Sequence, residues 1–503
     1  MTQRLLAAAE RFGGSLVVGV ITFVLLRLTM LPGVGTWDTA EYQAVGPLLG
    51  TAHSPGYPTY TIIGWIASIV LQPFGDPAAR MNLLAVLCIA VGAAITVDLV
   101  RALTRSVWLG MAAGLGLALL PITWRIGLHA ESHALHVVFV AALLRLLVAW
   151  QERHAADDPR GDRWLVAAAG LFGVSLGNHS LTLLLAPGIG LFLLMVEPGI
   201  WRRVRFVATC ALALIGATVL VHLELPLRAG PFPAPLVYAN PATWDGFWYV
   251  VLAQQFHSWL IGPLDDLGGK FARLVALTTA QLGPLGVLVP IAFVISAVRR
   301  RPYAVLTGVS VFITCFFSAS YQNADISRYY VVPALMVWTW LAILAGAVVD
   351  SVSELGPRVR PAAIAALAAI ILVAPTVIAI PNRRVVLDES RMTFGQEWLD
   401  QTLDRLEPNA VVVSWWSFST PLWYAQRVEH RRPDITIIDD RTRLDQNLGE
   451  VSSIIDSYLG KRPVYVIRVE PQEIAGIEDR YETQPLVYSP PDWLRRIVRR
   501  NGA

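Results

Sequence analysis

The sequence predicts an α-helical integral membrane protein: a bundle of about eleven spanning helices followed by a C-terminal α/β domain. Three observations carry this expectation. The 503 residues are 55% hydrophobic and only 15% charged, where soluble domains are about a quarter charged. Apolar runs of roughly 17–22 residues recur, the length that crosses a hydrocarbon core about 30 Å thick. From residue 382 onward the composition turns soluble.

The expected spans are 12–31, 81–100, 107–122, 133–150, 164–177, 180–197, 205–225, 279–298, 303–319, 329–349 and 361–380. The first follows Arg4 and Arg11 and lacks a small-residue cleavage site, so it reads as a retained signal-anchor helix. Residues 59–72 are also apolar, but Pro58 opens the run and Pro73-Phe74-Gly75 closes it. About fourteen residues is short for a span, which makes this an interfacial or re-entrant helix. Trp244, Phe247, Trp248, Val251, Leu252 and Trp259 recur at helical spacing. That pattern fits either an amphipathic helix at headgroup level or an ordinary packing helix.

Basic residues set the expected topology. With 59–72 not crossing, Arg101/Arg105, Arg153/Arg160/Arg163, Arg202/Arg203/Arg205, Arg299/Arg300/Arg301 and Arg358/Arg360 all face the cytoplasm. The first outer loop, about 32–80, then shares the outer face with Trp124–Ser132, Asn178-His179, 227–281, Tyr321–Arg328 and everything after about 381. A net charge of +3, held at helix ends, speaks for topology signals and against nucleic-acid binding. Cys88, Cys210 and Cys315 lie far apart in apolar runs, so no disulfide framework or zinc site is expected.

The soluble segment, 381–503, begins with Phe394, Trp398, Leu399, Leu403 and Leu406, an amphipathic helix. Val411–Val413, Ile435–Ile438 and Val464–Ile467 read as buried strands. The segment has no Gly-rich phosphate loop and is not expected to bind nucleotides.

Several polar motifs interrupt the apolar pattern, and each has two readings. Asp38 and Glu41, three apart, form either a helix-capping pattern or a carboxylate pair for acid/base chemistry. His53-Ser54-Pro55-Gly56-Tyr57-Pro58 is either a rigid turn into the next helix or a placement of His53 to donate to an anion. His129, Glu131 and His133 flank the fourth span, with Glu131 orienting another polar group and a metal only weakly indicated. Asn178-His179 forms either a tight helical hairpin with Asn as cap or a pair lining the outer cavity. Arg228, after His222 and Glu224, either snorkels or stabilises charge on a phosphate leaving group. Arg328, beside Tyr329 and Tyr330, is a second such cation and Arg27 a third.

The run Trp37-Asp38-Thr39-Ala40-Glu41-Tyr42, followed by Ala52-His53-Ser54-Pro55-Gly56-Tyr57-Pro58-Thr59-Tyr60, resembles the family known as domain of unknown function 2723. Its pattern is D-[ST]-G-E and then A-H-P-P-G-Y-P-L-Y. The likeness continues through Ala130–His136, Leu176–His179 and Leu225–Ala229. Ala40, Ser54 and Ser132-His133 depart from the family pattern without removing a titratable group. That family includes the animal endoplasmic-reticulum protein O-mannosyltransferase of the transmembrane type, assigned to the GT-C architecture.

The resemblance implies an inverting, metal-independent glycosyltransferase on the outer face of a bacterial cytoplasmic membrane. It takes a hexose, mannose favoured, from a polyprenyl-phosphate donor to a protein or glycan hydroxyl. Asp38 is then the general base and Glu41 its partner. His53, Tyr57, Glu131, Asn178, His179, Arg228 and Arg328 bind the substrates. No cofactor or metal enters the scheme, because the lipid-linked sugar is a co-substrate. Two rival classes are a transporter or flippase for a lipid-linked saccharide and a non-catalytic saccharide-binding membrane protein. Internal repeats and midplane helix breaks would favour the transporter, and none is seen in the sequence.

Overall fold

The computed structural model describes residues 2–355, 360–486 and 494–502. Arg358 and the side chains of Arg4 and Arg11 lie outside the described residues. The chain is a multi-pass membrane protein. Among the described residues, eight helices are long and apolar enough to cross a bilayer. The other three expected spans form shorter helices, Val107–Ala118, Asp162–Leu176 and Ser180–Val196. The run expected over 107–122 breaks at Leu119, where Pro121 starts a separate short helix, Pro121–Ile126. In the other direction, the span expected to begin at 279 starts at Leu267 and reaches Arg299 through a 3₁₀ turn at Gly283–Leu288. Residues Pro58–Val70 form a helix of 13 residues with proline at its first position, well below spanning length.

Contacts divide the chain into two compact units. Unit 1 comprises residues 1–30, 83–222 and 255–389, and holds most of the spans. Its outer surface is apolar: Val204, Leu212 and Leu220 each stand more than 70% exposed. Lipid is the solvent such a surface suits, since every backbone group is already bonded within its helix. Inside, helices approach closely where side chains are small. A Cβ on Gly116 would fall 2.3 Å from the Trp338 ring. Two buried indoles find hydroxyl partners: Trp124 Nε1 donates to Thr29 (3.0 Å) and Trp340 Nε1 to Thr307 (2.8 Å). Arginines at helix ends and along helices are partly consumed within the unit. Arg300 donates to the Leu103 carbonyl (2.6 Å), and Arg145 to Asp98 (2.6 Å).

Unit 2 comprises residues 31–82, 223–254 and 390–503. It therefore unites the first expected outer loop with the soluble segment. A five-stranded sheet runs in the order β2-β1-β3-β5-β4, with β1 Val411–Ser414, β2 Thr436–Asp439, β3 Val464–Ile467, β4 Tyr481–Pro485 and β5 Leu494–Arg500. β1 lies parallel between β2 and β3. β5 is antiparallel to both β3 and β4. All four residues of β1 and of β3 are buried, as befits parallel strands covered on both faces. On one face Val412, Tyr465 and Ile467 pack against Trp398, Leu399, Leu403 and Phe418. On the other, Val411, Val413, Val464 and Val466 pack against Ile454 and Ile455. The aromatic run around Trp244 forms a helix only over Trp244–Val251, with a 3₁₀ turn at Gln254–Trp259.

Candidate functional site

In unit 2 the Trp37–Leu48 helix carries the paired carboxylates. Its N-cap is Thr36, which makes no side-chain cap, so Asp38 lies inside the first turn. Trp37 is held at φ 57°, a left-handed conformation costing a bulky residue about 1–3 kcal/mol. Its ring meets Trp415 edge-on at 5.7 Å, a tertiary contact that offsets part of that cost. Asp38 is half-buried and Glu41 is 1% exposed. Three apart, they share one helix face.

Glu41 does not turn back to the helix start as a capping box requires. Its Oε1 accepts the His53 backbone N–H at 2.9 Å, and its Oε2 pairs with His53 Nδ1. The turn that delivers His53 closes by Gly56 N–H donating to the His53 carbonyl (2.7 Å). Gly56 has φ +88°, and a Cβ there would also sit 2.9 Å from Val250. Rings enclose the pair: Tyr57 at 5.2 Å and Trp416 at 5.3 Å from the His53 ring, with Tyr42 edge-on to Tyr57 at 5.4 Å. The turn and the histidine placement are thus one device.

Arg228 closes the other end of the same helix. Its Nε donates to the Leu49 carbonyl (2.8 Å) and a terminal nitrogen to Leu48 (3.3 Å), where a helix carries its partial negative charge. Two of its donors are therefore structural. Glu224 is buried nearby in sequence, and neither of its carboxylate oxygens has a hydrogen-bond partner among the described residues.

Unit 1 holds a second polar cluster. Glu131 is the N-cap of the Ser132–Ala155 helix. Its Oε1 accepts from the His133 N–H (3.2 Å) and lies 2.9 Å from His133 Nδ1, while Oε2 accepts from Arg328 at 2.8 Å. Burial favours a neutral Glu131, but Arg328 and His133 outweigh it and hold the carboxyl well below the usual range. His133 stacks on Tyr329 (5.1 Å) and meets His179 edge-on (4.5 Å). Burial and then His133 push the His179 imidazole well below its ordinary value, so it is neutral.

Asn178 does not cap the hairpin. His179 does so through Nδ1, accepting from Leu181 N–H at 3.2 Å. Asn178 instead donates to the Ser132 carbonyl (3.2 Å), and its Oδ1 has no hydrogen-bond partner among the described residues. His129 pairs with Glu389 at 2.9 Å, not with Glu131. Among the described residues no three His, Cys, Asp or Glu side chains converge in a metal-holding group.

The structure thus brings Asp38, Glu41, His53, Tyr57 and Arg228 together in one unit. It brings Glu131, Asn178, His179 and Arg328 together in the other. Sequence reasoning passed over Trp415-Trp416, although two aromatics directly after a buried strand mark the strand's carboxyl end, where open α/β sheets place their sites. It also passed over the stacked Tyr329, named only as a neighbour of Arg328.

Residues 38–199 match the family model for the N-terminal domain of the protein O-mannosyl-transferase TMEM260. That segment contains Asp38, Glu41, His53, Tyr57, Glu131, Asn178 and His179, but neither Arg228 nor Arg328. The mouse protein O-mannosyl-transferase TMEM260 is 32% identical over 222 residues, 44% of this chain and 29% of that protein. The counterpart from Dictyostelium discoideum is 23% identical over 173 residues, 33% of this chain and 21% of its own length. The chain therefore spans less than a third of these relatives.

Over nearly its whole length the chain superposes on ArnT from Cupriavidus metallidurans bound to undecaprenyl phosphate. The TM-score is 0.60 at 15% identity, covering 97% of this chain and 98% of that one. The oligosaccharyltransferase AglB from Archaeoglobus fulgidus, in complex with an inhibitory peptide and a dolichol-phosphate, gives 0.51 at 15% identity over 91% and 70%. The chain is a membrane protein of the GT-C fold whose N-terminal part resembles the transmembrane protein O-mannosyltransferases.

Proposed function

We propose that the chain is a membrane glycosyltransferase that moves a hexose, with mannose favoured, from a polyprenyl-phosphate donor to a protein or glycan hydroxyl. The observation that carries this reading is the carboxylate pair on one helix face, Asp38 half-buried and Glu41 fixed by His53. The names of the relatives support the sugar and the reaction class. The polyprenyl phosphates in the ArnT and AglB structures support the donor class. The arginine distribution supports an active face outside a bacterial cytoplasmic membrane.

In this scheme Asp38 takes the acceptor hydroxyl proton as its oxygen attacks the anomeric carbon. The anomeric carbon–oxygen bond breaks with inversion, and the lipid phosphate leaves with the electron pair. Glu41 and His53 lock the helix turn that aims Asp38. Arg228, anchored through two donors, presents the rest of its guanidinium to the departing phosphate together with His53. Glu131, Asn178, His179 and Arg328 are assigned to substrate binding, with Tyr57 packing the His53 ring. The scheme draws its positive charge from fixed side chains and calls on no metal or cofactor.

The test is turnover of a panel of polyprenyl-phosphate hexoses by purified protein and its Asp38→Asn variant. Asparagine caps and packs much as aspartate does, so the fold survives. Turnover should fall by about 10²–10⁴-fold, the range for a lost general base. Wild-type turnover in the variant removes Asp38 from the mechanism, and no turnover with any donor by the wild type removes the transferase reading.

A further inference from the structure

A cavity of about 640 Å³ opens in unit 1, and none of the site residues described above lines it. Its walls are the corner Leu103–Trp108, Arg299 and Arg300, and the start of the Pro361–Ile378 helix. A further wall comes from Ile343, Gly346 and Val349, whose spacing of three puts them on one helix face. Two helices begin at this cavity, Val107–Ala118 and Pro361–Ile378. The positive ends of both favour a negative charge. Arg105, Arg299 and Arg300 add three guanidiniums against the single carboxylate of Asp350.

That carboxylate is already taken, because Asp350 pairs with Arg299. Arg300 donates from one terminal nitrogen to the Leu103 carbonyl (2.6 Å), and its other guanidinium nitrogens make no hydrogen bond among the described residues. Arg105 is exposed, and its guanidinium has neither a hydrogen bond nor an ion pair among the described residues. Its backbone ends the helix before it at φ 59°, with its N–H donating to the Arg101 carbonyl (2.8 Å). Glycine or asparagine usually fills such a left-handed cap. An arginine there puts a cation on the cavity lining although its backbone is strained. The remaining walls are apolar and include Val107, Ile343, Ala365 and Trp108, which is 45% exposed. Farther along the helix that starts at Pro361, the apolar side chains of Leu367, Ile370 and Ile371 are exposed.

We propose that this cavity holds the phosphate headgroup of an anionic glycerophospholipid, whose acyl chains lie along the apolar outside of the spanning helices. Arg105 and Arg300 donate to the phosphate oxygens, a geometry the planar guanidinium fork suits. The two helix starts add their positive ends. A soluble anion would use the cations alone. The apolar walls beside them, in a unit whose surface is already suited to lipid, match a ligand with a charged head and a hydrocarbon body. Basic pockets between spanning helices on the cytoplasmic side bind acidic lipid headgroups. The arginine distribution supports that side for Arg105 and for Arg299 and Arg300. The bound phosphate bridges helix ends whose like charges repel one another. Lipid binding here is independent of the transferase reading.

The experiment titrates the full-length protein in detergent with phosphatidylglycerol or phosphatidylcholine and reads bound lipid by native mass spectrometry. The first phosphatidylglycerol should bind clearly more tightly than the first phosphatidylcholine. Arg105→Gln should weaken phosphatidylglycerol about fivefold, the weight of one arginine beside an acidic headgroup. Arg160→Gln removes an exposed arginine that does not line the cavity and should leave the affinity unchanged. A Cβ on Gly346 would meet nothing closer than 3.6 Å, at Leu109 and Thr104. Gly346→Phe therefore grows into the cavity without a backbone clash and should abolish the tight site. Equal affinity for the two lipids, wild-type affinity in Arg105→Gln, or equal losses in Arg105→Gln and Arg160→Gln would each overturn the proposal. So would tight binding retained by folded Gly346→Phe. Displacement of phosphatidylglycerol by an equimolar amount of glycerol phosphate would overturn it too, since the site would then serve a soluble anion. Should Gly346→Phe fail to fold, the contrast between Arg105→Gln and Arg160→Gln still decides.

Discussion

Each unit buries one carboxylate against one histidine, and the two pairs differ in a single respect. Glu131 in unit 1 also holds the Arg328 guanidinium at 2.8 Å, with side-chain exposures of 4% and 14%. No Arg or Lys among the described residues reaches Glu41 in unit 2, whose partner is His53. A carboxylate held by a guanidinium, an imidazole and a backbone N–H is fixed in charge and place, and its loss breaks a buried ion pair. A carboxylate held by an imidazole and a backbone N–H, with no guanidinium, keeps a partner that can itself gain or give a proton. Unit 1 therefore has the arrangement of a rigid support, and unit 2 the arrangement suited to acid/base chemistry.

Replacing each carboxylate by its amide breaks or sharpens this contrast. Glu131→Gln breaks the buried pair with Arg328 and should cost about 3–5 kcal/mol of stability, as for other broken buried pairs, seen as a lower thermal midpoint in detergent. Glu41→Gln leaves no stranded cation. It should unfold within about 1 kcal/mol of wild type, as most substitutions without a broken charge pair do. Its turnover should nonetheless fall by about 10²-fold, because the helix turn that aims Asp38 is no longer fixed. Equal stability losses in the two variants would erase the distinction between the units.

A smaller effect is expected at Arg228. Arg228→Ala removes both hydrogen bonds to the end of the Trp37–Leu48 helix, a loss of about 1–3 kcal/mol. If the phosphate role is also right, it lowers turnover beyond what stability explains. Arg228→Lys keeps charge but not the planar fork, so it should recover part of the turnover and little of the helix anchoring. Kinetics at matched folded concentration separate the two roles. Wild-type turnover in both variants would confine Arg228 to the helix end.

The smallest effect is a pH dependence in unit 1. Burial opposes the charge on His129, but the hydrogen bond and charge of Glu389 outweigh it and raise its value above the ordinary 6.5. A raised folded-state value contributes stability that is complete below the unfolded value, about 6.5, and disappears as pH rises through the folded value. His129→Gln should therefore lower the unfolding midpoint by a few degrees at pH 6 and by progressively less on the alkaline side. A gap that widens with pH would contradict the His129–Glu389 assignment.

The sequence by itself determined the class of the molecule, because apolar length and the scarcity of charge are properties of segments. All eleven expected spans have helical counterparts, Val411–Val413 and Val464–Ile467 lie in β1 and β3, and the strand expected over Ile435–Ile438 is shifted by one residue to Thr436–Asp439. It also singled out Asp38, Glu41 and His53, since carboxylates beside an apolar run stand out against their surroundings. The antiparallel pair β4–β5 was not legible. Leu494 and Ile497 are buried three apart, and a register shift between Glu482 and Thr483 breaks the period of two that a strand would show. Partners were equally hidden. Nothing local states that Glu41 binds His53 twelve residues on, that Arg328 returns 197 residues to Glu131, or that Arg228 caps a helix 180 residues earlier. Such pairings are decided only when folding buries a polar group and obliges it to find whatever donor the packed chain brings within 3 Å.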